Sequence, residues 1–275
     1  MTCTASAVLR STAWSTQSLP LLPPQAGLSL LVNDYGLNWW FAIALDDKMK
    51  KTFSGILWDL DGVLVDTGEA HFLSWKEILP QYGIPFSLEL FKKTFGMNNM
   101  GVLSTLIGRP ASKELVDEVG ERKEATFRAA VHGHARLLPG VLDMLAHFQR
   151  EGVLQAVASS APQSNVDVLV DELKIRPFFK AVISGAHLPG KPDPATFLLA
   201  AHTIGVVSAE CLAIEDAVVG VEAAHRAGMK CIAVTNTNPP EMLASADLVV
   251  DSLAHLPPDF ETRLLSQSPS NSDKV

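Results

Sequence analysis

The sequence predicts an α/β fold in which a doubly wound parallel sheet carries an inserted α-helical cap domain. From residue 139 onward, short apolar runs alternate with segments of helical periodicity, which is typical of a parallel sheet flanked by helices. One strand-like run, Phe53 to Leu60, precedes these elements, and a long stretch with only helical periodicity lies between. We therefore expect a Rossmann-like sheet whose first strand leads directly into the cap.

Residues 1–48 differ in composition from the rest and are predicted to be an N-terminal extension outside the fold. Serine, threonine and proline are common up to Pro24, and the first acidic residue is Asp34. Three interpretations fit: a disordered extension, sequence upstream of a start at Met49, and an organelle transit-like segment. The first two are favoured, because Arg10 is the only basic residue before Lys48.

The helical stretch predicts a cap at residues 67–137, placed over the carboxyl edge of the sheet. Gly-Ile-Pro at 83–85 and Gly-Arg-Pro at 108–110 interrupt the helical pattern. The expected cap helices are Ala70 to Tyr82, Leu88 to Thr94, Asn99 to Ile107 and Ser112 to Val131.

The sheet and its flanking helices are predicted at residues 49–66 and 138–262, with a disordered tail at 263–275. A helix is expected to open at Pro139 and to end near Arg150. The later strands are expected at 154–158, 181–184, 211–214, 231–234 and 248–250. The helices between them are expected at 164–173, 194–203, 219–227 and 240–244.

Acidic, basic and hydroxyl side chains follow several of the predicted strands. Because the carboxyl ends of parallel strands meet at one edge of a sheet, these distant residues are expected to converge there. The four segments are Asp59-Leu60-Asp61-Gly62, Ser159-Ser160, Gly190-Lys191-Pro192-Asp193-Pro194 and Glu215-Asp216.

The acidic residues among these segments predict a site for a hard cation. Oxygen ligands from Asp59, Asp61 and Asp216, with Glu215 nearby, suit Mg²⁺, which binds through few carboxylates plus a phosphate. No histidine or thiol joins these acids in the four segments, which disfavours zinc.

A phosphate at this edge would need compensation for the carboxylates. Two unit charges repel each other by roughly 4 kcal/mol at about 4 Å and an effective dielectric near 20. Lys191 and the cation are expected to offset this repulsion, while the Ser159 hydroxyl and backbone amides near Leu60 and Ser160 donate hydrogen bonds to phosphoryl oxygens. One carboxylate of the first segment could then attack phosphorus, and the other could transfer the proton.

The motif Asp59-Leu60-Asp61-Gly62-Val63-Leu64-Val65-Asp66-Thr67, followed in order by Ser159, Lys191-Pro192 and Glu215-Asp216, resembles the haloacid dehalogenase superfamily. Within that superfamily it is similar to the β-phosphoglucomutase-like phosphatases with a helical cap. The resemblance covers about residues 52–255.

The resemblance implies a role for each matched residue. Asp59 would be the nucleophile and Asp61 the general acid/base. Ser159 and Lys191 would bind phosphate, and Asp216, assisted by Glu215, would hold Mg²⁺ together with the main-chain carbonyl of Asp61. Together, these roles imply a phosphatase that acts through an aspartyl-phosphate intermediate.

The cap residues decide the substrate, and three of them are expected on the substrate side: Thr67 at the hinge, His71 near Asp61, and Lys123 beside a phosphate or the acid. A mutase must hold a bisphosphate at both ends. The loop at 95–100 has no arginine, and Ala161-Pro162-Gln163 stands where the mutase has lysine and asparagine. We therefore expect hydrolysis of a small phosphorylated metabolite, with a sugar phosphate as the favoured substrate and a phosphosugar mutase as the alternative function.

Composition narrows the partners. The formal net charge of −8 gives no electrostatic footprint for nucleic acid or an anionic membrane, and no apolar run reaches the length of a membrane span. Three cysteines without metal-ligand spacing indicate a reducing compartment, so a cytoplasmic location is expected. The charged residues of the predicted site also bear on whether the protein is an enzyme. A catalytically inactive binding protein with the same fold is disfavoured, because none of the charged residues expected in the site is missing.

The sequence does not predict the oligomeric state.

Overall fold

The computed structural model describes residues 53–266, and these form a parallel α/β sheet with helices on both faces. The strands lie in the order β3-β2-β1-β4-β5-β6, and every neighbouring pair is parallel. Their bounds are β1 Gly55–Trp58, β2 Leu154–Ser159, β3 Ala181–Ser184, β4 Cys211–Glu215, β5 Lys230–Val234 and β6 Leu248–Val250. The predicted fold class is confirmed, although the first strand is shorter than Phe53 to Leu60.

The strand order reverses at β1. The chain passes from β1 to β2 and β3 on one side, then returns to β4 on the other side of β1. Trp58, the last residue of β1, is aligned with Val157 of β2 and Ile214 of β4. A reversal of this kind leaves a crevice at the carboxyl ends of the central strands, where open α/β sheets bind ligands.

Four α-helices follow β1 and are called here the helical block, residues 68–131. Their bounds are α1 Gly68–Ile78, α2 Leu88–Thr94, α3 Asn99–Ile107 and α4 Lys113–Val131. The side chains of Ser87, Asn98 and Ser112 accept hydrogen bonds from amides in the first turns of α2, α3 and α4, which fixes where these helices begin. The block has an apolar cluster of its own around Trp75, Phe91 and Leu103.

Two chain segments connect the helical block to the sheet, and they lie side by side. Leu138 N donates to Leu64 O at 3.1 Å, and Asp66 N donates to Arg136 O at 3.2 Å. Val65 and Leu137 form an antiparallel bridge. The two connections between the sheet and the helical block therefore lie close to the predicted cap boundaries, which fall between residues 66 and 67 and between residues 137 and 138. We propose that this paired segment is the hinge of a cap domain.

The remaining helices pack against the two faces of the sheet. They are α5 Val141–Arg150, α6 Gln163–Glu172, α7 Ala195–Ile204, α8 Val218–Arg226 and α9 Phe260–Ser266. One face buries large side chains such as Trp58 and Phe148, whereas the other is rich in alanine around Phe197. Within residues 53–266, none of the helices combines the length and the apolar character needed to cross a membrane.

Two predictions about the C-terminal part are wrong. Residues 240–244 form turns instead of a helix, because Pro239 and Pro240 lead into i to i+3 hydrogen bonds that end on Met242 and Leu243. The predicted tail begins too early, since α9 continues to Ser266 and buries Leu264 completely. The extension predicted at 1–48 and the last residues, 267–275, lie outside the described residues.

Asp247 lies just before β6 and connects this segment to β5 through hydrogen bonds. Its Oδ2 accepts hydrogen bonds from Cys231 N at 2.8 Å and from His225 at 3.0 Å, and its Oδ1 accepts from Lys230 Nζ at 2.7 Å. Burial favours the protonated form, but these hydrogen bonds hold the pKa of Asp247 at about 2. The ionised carboxylate therefore stabilises the folded state.

We expect Asp247→Asn to lower the free energy of unfolding at neutral pH by about 1 kcal/mol, after allowance for solvent screening. The folded pKa is below the unfolded value, so this contribution is present above about pH 4 and is lost as the pH falls towards about 2. Urea unfolding of both proteins across this range is the measurement. The exposed Asp143→Asn is the control, and a difference that does not shrink in acid would contradict the assignment.

Candidate active site

Asp59 stands directly after β1 at the crevice. Its amide continues the ladder by donating to Ile214 O at 3.0 Å, and its side chain is buried. Lys191 Nζ donates to Asp59 Oδ1 at 2.6 Å and also to Glu215 Oε1. The lysine, which follows β3 in the chain by a few residues, thus bridges the acids that follow β1 and end β4.

Glu215 and Asp216 complete an acidic cluster with Asp59. One oxygen of each of the three carboxylates lies within 4.8 Å of the others, and all three residues are buried. Glu215 Oε2 accepts hydrogen bonds from the amides of Asp216 and Ala217, at 2.9 and 3.1 Å. Among the described residues, nothing hydrogen-bonds the buried Oδ1 of Asp216.

The cluster holds more negative charge than its own cation balances. Burial and the neighbouring acids raise the pKa of Asp59 to about 7 although Lys191 opposes this, and burial together with Glu215 and Asp59 raises the pKa of Asp216 well above its usual value. Burial works against the charge of Lys191, but Asp59 and Glu215 keep its pKa above the usual range. The cluster thus contains three buried carboxyl groups and one ammonium, which donates to two of them, Asp59 and Glu215.

This donor set fits a hard divalent cation. The ligands are carboxylate oxygens, one of which has no hydrogen-bond partner in the described chain, and a divalent charge would remove the imbalance. The carboxylate of Asp61 does not belong to the cluster, so any contribution of Asp61 to a metal would come from its main-chain carbonyl. Mg²⁺ is therefore chemically compatible with the three clustered residues.

Two glycines allow this close packing. Gly62 has a φ of +84°, and a Cβ atom there would lie 1.9 Å from Asp216 Oδ2. A Cβ atom on Gly220, in α8, would lie 2.0 Å from the carboxylate of Glu215. The first and fourth sequence segments can approach each other, and α8 can pack against Glu215, only because these two positions carry no side chain.

Asp61 faces away from the cluster and towards the helical block. Its Oδ1 accepts a hydrogen bond from Thr67 Oγ1 at 2.6 Å and lies 3.0 Å from His71 Nε2. Burial would raise the pKa of Asp61, but the hydrogen bonds from His71 and Thr67 lower it. Two aspartates separated by one residue thus occupy opposite electrostatic environments.

Lys123 lies behind His71. Its Nζ is 2.7 Å from His71 Nδ1 and 3.1 Å from each carboxylate oxygen of Glu124, and it lies over the rings of Trp75 and Phe127. Because an ammonium group only donates, His71 Nδ1 accepts, and the ring proton is on Nε2, which donates to Asp61. The predicted substrate-side residues Thr67, His71 and Lys123 therefore form a chain of contacts that ends on Asp61.

The two predicted serines point in different directions. Ser159 ends β2, is buried, and accepts a hydrogen bond from Ala161 N at 3.1 Å, a role that leaves its proton available for a phosphoryl oxygen. Ser160 donates its hydroxyl to Gly96 O of the helical block at 2.8 Å. The Ser160 side chain thus contacts the loop before α3, and only its amide stays a candidate for phosphate binding.

A cavity of about 50 Å³ lies between the helical block and the carboxyl edge of the sheet. It has room for only a few water molecules, far less than the few hundred Å³ of a typical ligand pocket. Its lining combines both aspartates of the first segment with apolar and polar residues of the block. The lining includes Asp59, Asp61, His71, Trp75, Phe95, Met97, Asn99, Lys123, Glu124 and Ser160.

Sequence reasoning missed the polar residues that follow β5. Thr237 donates to Asp216 Oδ2, and Asn238 Nδ2 donates to the main-chain oxygen of Asp216 at 2.9 Å. Asn236 Nδ2 donates to Gly62 O at 2.8 Å. The sequence did contain a pattern that could have identified these residues, because this polar segment follows an apolar strand just as the four identified segments do.

Comparisons with known proteins find similarity to a hydrolase family, to a phosphatase and to phosphoglucomutases. Residues 56–234 match the model of the haloacid dehalogenase-like hydrolase family. Beta-phosphoglucomutase of Bacillus subtilis is 34% identical over 209 residues, 73% of this chain and 90% of that protein. Fructose-1-phosphate phosphatase of Escherichia coli is 27% identical over 187 residues, 68% of this chain and 98% of that protein. The crystal structure of beta-phosphoglucomutase from Clostridium difficile superposes with a TM-score of 0.70 at 25% identity, covering 78% of this chain and 97% of that one.

Proposed function

We propose, from the premise that this chain belongs to the haloacid dehalogenase-like hydrolase family, that it is a Mg²⁺-dependent phosphatase of a small phosphorylated metabolite. The observation that carries the proposal is the contrast between two neighbouring acids. Asp59 lies against Lys191 in the acidic cluster, whereas Asp61 is held by Thr67 and His71. Because the two carboxylates are held by different partners, they can take two different roles in phosphoryl transfer.

Asp59 is the nucleophile in this proposal. One of its oxygens attacks phosphorus in line, the bond from phosphorus to the leaving oxygen breaks, and an aspartyl-phosphate forms. Asp61 gives a proton to the leaving oxygen, then takes one from the water that hydrolyses the aspartyl-phosphate. Lys191 and the Ser159 hydroxyl, both at the same edge, hold the phosphoryl group.

Asp59, Asp216 and the main-chain carbonyl of Asp61 would hold Mg²⁺, with Glu215 beside them, and the ion would neutralise charge on the phosphoryl oxygens.

The small volume of the cavity limits the access of substrate to these residues. A sugar phosphate does not fit into about 50 Å³, so the helical block has to move away from the sheet before substrate enters.

Hydrolysis is favoured over mutase chemistry by the charges of the cavity. Among the described residues that line it, Lys123 is the one lysine, no arginine is present, and Lys123 is already bound to Glu124 and His71. A second phosphate would find no uncommitted cation there. A β-phosphoglucomutase-like activity is the alternative, because a relative of that name is 34% identical.

The test is a panel of p-nitrophenyl phosphate and sugar monophosphates incubated with Mg²⁺ or with EDTA. We expect release of inorganic phosphate that requires Mg²⁺, with a preference for at least one sugar phosphate. Conversion of β-glucose 1-phosphate to the 6-phosphate without net phosphate release would instead establish the mutase. Activity that persists in EDTA would contradict the proposed metal dependence.

A further inference from the structure

A buried polar bridge connects α4 of the helical block to α6, which packs on the sheet. Asn165 Nδ2 donates to Glu124 Oε2 at 2.6 Å, and Arg128 Nη1 donates to Asn165 Oδ1 at 2.8 Å. Asn165 is completely buried and Glu124 is 4% exposed. Buried groups of this kind are costly unless they are paired, so the bridge forms a defined contact between the block and the sheet side.

Glu124 also provides the counter-charge of Lys123. Both of its oxygens lie 3.1 Å from Lys123 Nζ, and that ammonium is otherwise surrounded by the rings of Trp75, Phe127 and His71. Burial would raise the pKa of Glu124, but the charge of Lys123 and the hydrogen bonds from Lys123 and Asn165 lower it. A buried ammonium of this kind keeps its position only while its carboxylate partner is in place.

The position of Lys123 in turn fixes the orientation of His71. Lys123 donates to His71 Nδ1, which leaves the ring proton on Nε2, directed at Asp61 Oδ1. Thr67 donates to the same oxygen of Asp61. The other oxygen, Oδ2, is thereby left for the substrate, and the carboxyl group is held in one orientation.

We propose that Glu124 is a positioning residue for proton transfer by Asp61, and that its hydrogen bond to Asn165 makes this positioning depend on docking of α4 against α6. This inference rests on the proposed phosphatase function. When the bond from phosphorus to the leaving oxygen breaks, its electron pair stays on that oxygen, and the fraction of Asp61 that carries a proton supplies it from Oδ2. Docking of the helical block and the orientation of the Asp61 carboxyl group are thus coupled through Glu124, Lys123 and His71.

The test compares kcat/KM for two substrates that differ in their need for an acid. The p-nitrophenolate ion leaves without a proton, whereas the alkoxide of glucose 6-phosphate requires one. We expect Glu124→Gln, which keeps the shape but removes the charge, to lower kcat/KM by about tenfold or more for glucose 6-phosphate and by less than about threefold for p-nitrophenyl phosphate. A purely structural role would lower both values by the same factor.

Ser164→Ala is the matched control, because Ser164 neighbours Asn165 and contacts the same Arg128 without touching Glu124. It should leave both values unchanged. Asn165→Ser, which cannot span the distance to Glu124, should reproduce the substrate-dependent loss and provides a second variant if Glu124→Gln does not fold. Equal losses on both substrates, or no loss, would overturn the proposal.

A measurement that does not depend on turnover separates this inference from the proposed function. The side-chain ¹⁵N–¹H spectrum of His71 should show the Nε2-protonated tautomer in the wild type and in Ser164→Ala, and a mixture of tautomers in Glu124→Gln. An unchanged spectrum would overturn the positioning role even if the enzyme is a phosphatase. If the His71 spectrum changes in Glu124→Gln but the wild-type protein shows no phosphate release that depends on Asp59, only the proposed function is contradicted.

Discussion

Asp59→Asn is expected to lower kcat for p-nitrophenyl phosphate by at least about a thousandfold, because an amide cannot act as the nucleophile. The substitution keeps the size of the side chain, and an amide oxygen can still accept the hydrogen bond from Lys191. The fold should therefore survive. Steady-state phosphate release with Mg²⁺, together with circular dichroism of the variant, measures both expectations.

An acid-quench experiment makes the assignment specific to this residue. Wild-type protein stopped during turnover should carry a phosphoryl group on the peptide that contains Asp59, detected by mass spectrometry. Asp143→Asn is the matched control, since Asp143 undergoes the same chemical change on an exposed part of α5. If Asp59→Asn kept more than about a tenth of wild-type turnover, the nucleophile would have to be another residue.

The residues that contact Asp59 were predictable because a parallel sheet concentrates them. Lys191 and Glu215 are 24 positions apart, and Lys191 and Asp59 are 132 positions apart, yet all three follow or end apolar strands of one sheet. Once the alternation of strands and helices is recognised, their convergence follows from topology alone. Their side-chain types then predicted a site for a hard cation and a phosphate.

The part of the site contributed by the helical block was much less predictable. Glu124 and Asn165 are 41 positions apart, on helices whose relative placement no local pattern specifies. A backbone amide near Ser160 was expected to bind phosphate, but nothing in the sequence indicated that the Ser160 hydroxyl would contact Gly96 O in the loop before α3. Periodicity identifies which face of a helix is buried, but it does not identify the partner across an interface.

Lys191→Met is expected to produce the second large effect, a loss of about 3–5 kcal/mol in the free energy of unfolding at neutral pH without Mg²⁺. The side chain of Lys191 is completely buried and is bound to both Asp59 and Glu215. Methionine has a similar length, so packing around Phe197 is largely kept, but the two carboxylates lose their shared counter-charge. Urea unfolding is the measurement, with the exposed Lys180→Met as the control.

The source of that loss can be isolated, because the lysine and its partners can be removed together. If electrostatic repulsion causes the loss, Lys191→Met combined with Asp59→Asn should be more stable than Lys191→Met alone by at least about 1 kcal/mol. If the loss came from packing around the lysine stem, the second substitution would recover nothing. Recovery would mean that the acids proposed for phosphoryl transfer destabilise the sheet edge, and that Lys191 offsets this cost in the protein without ligands.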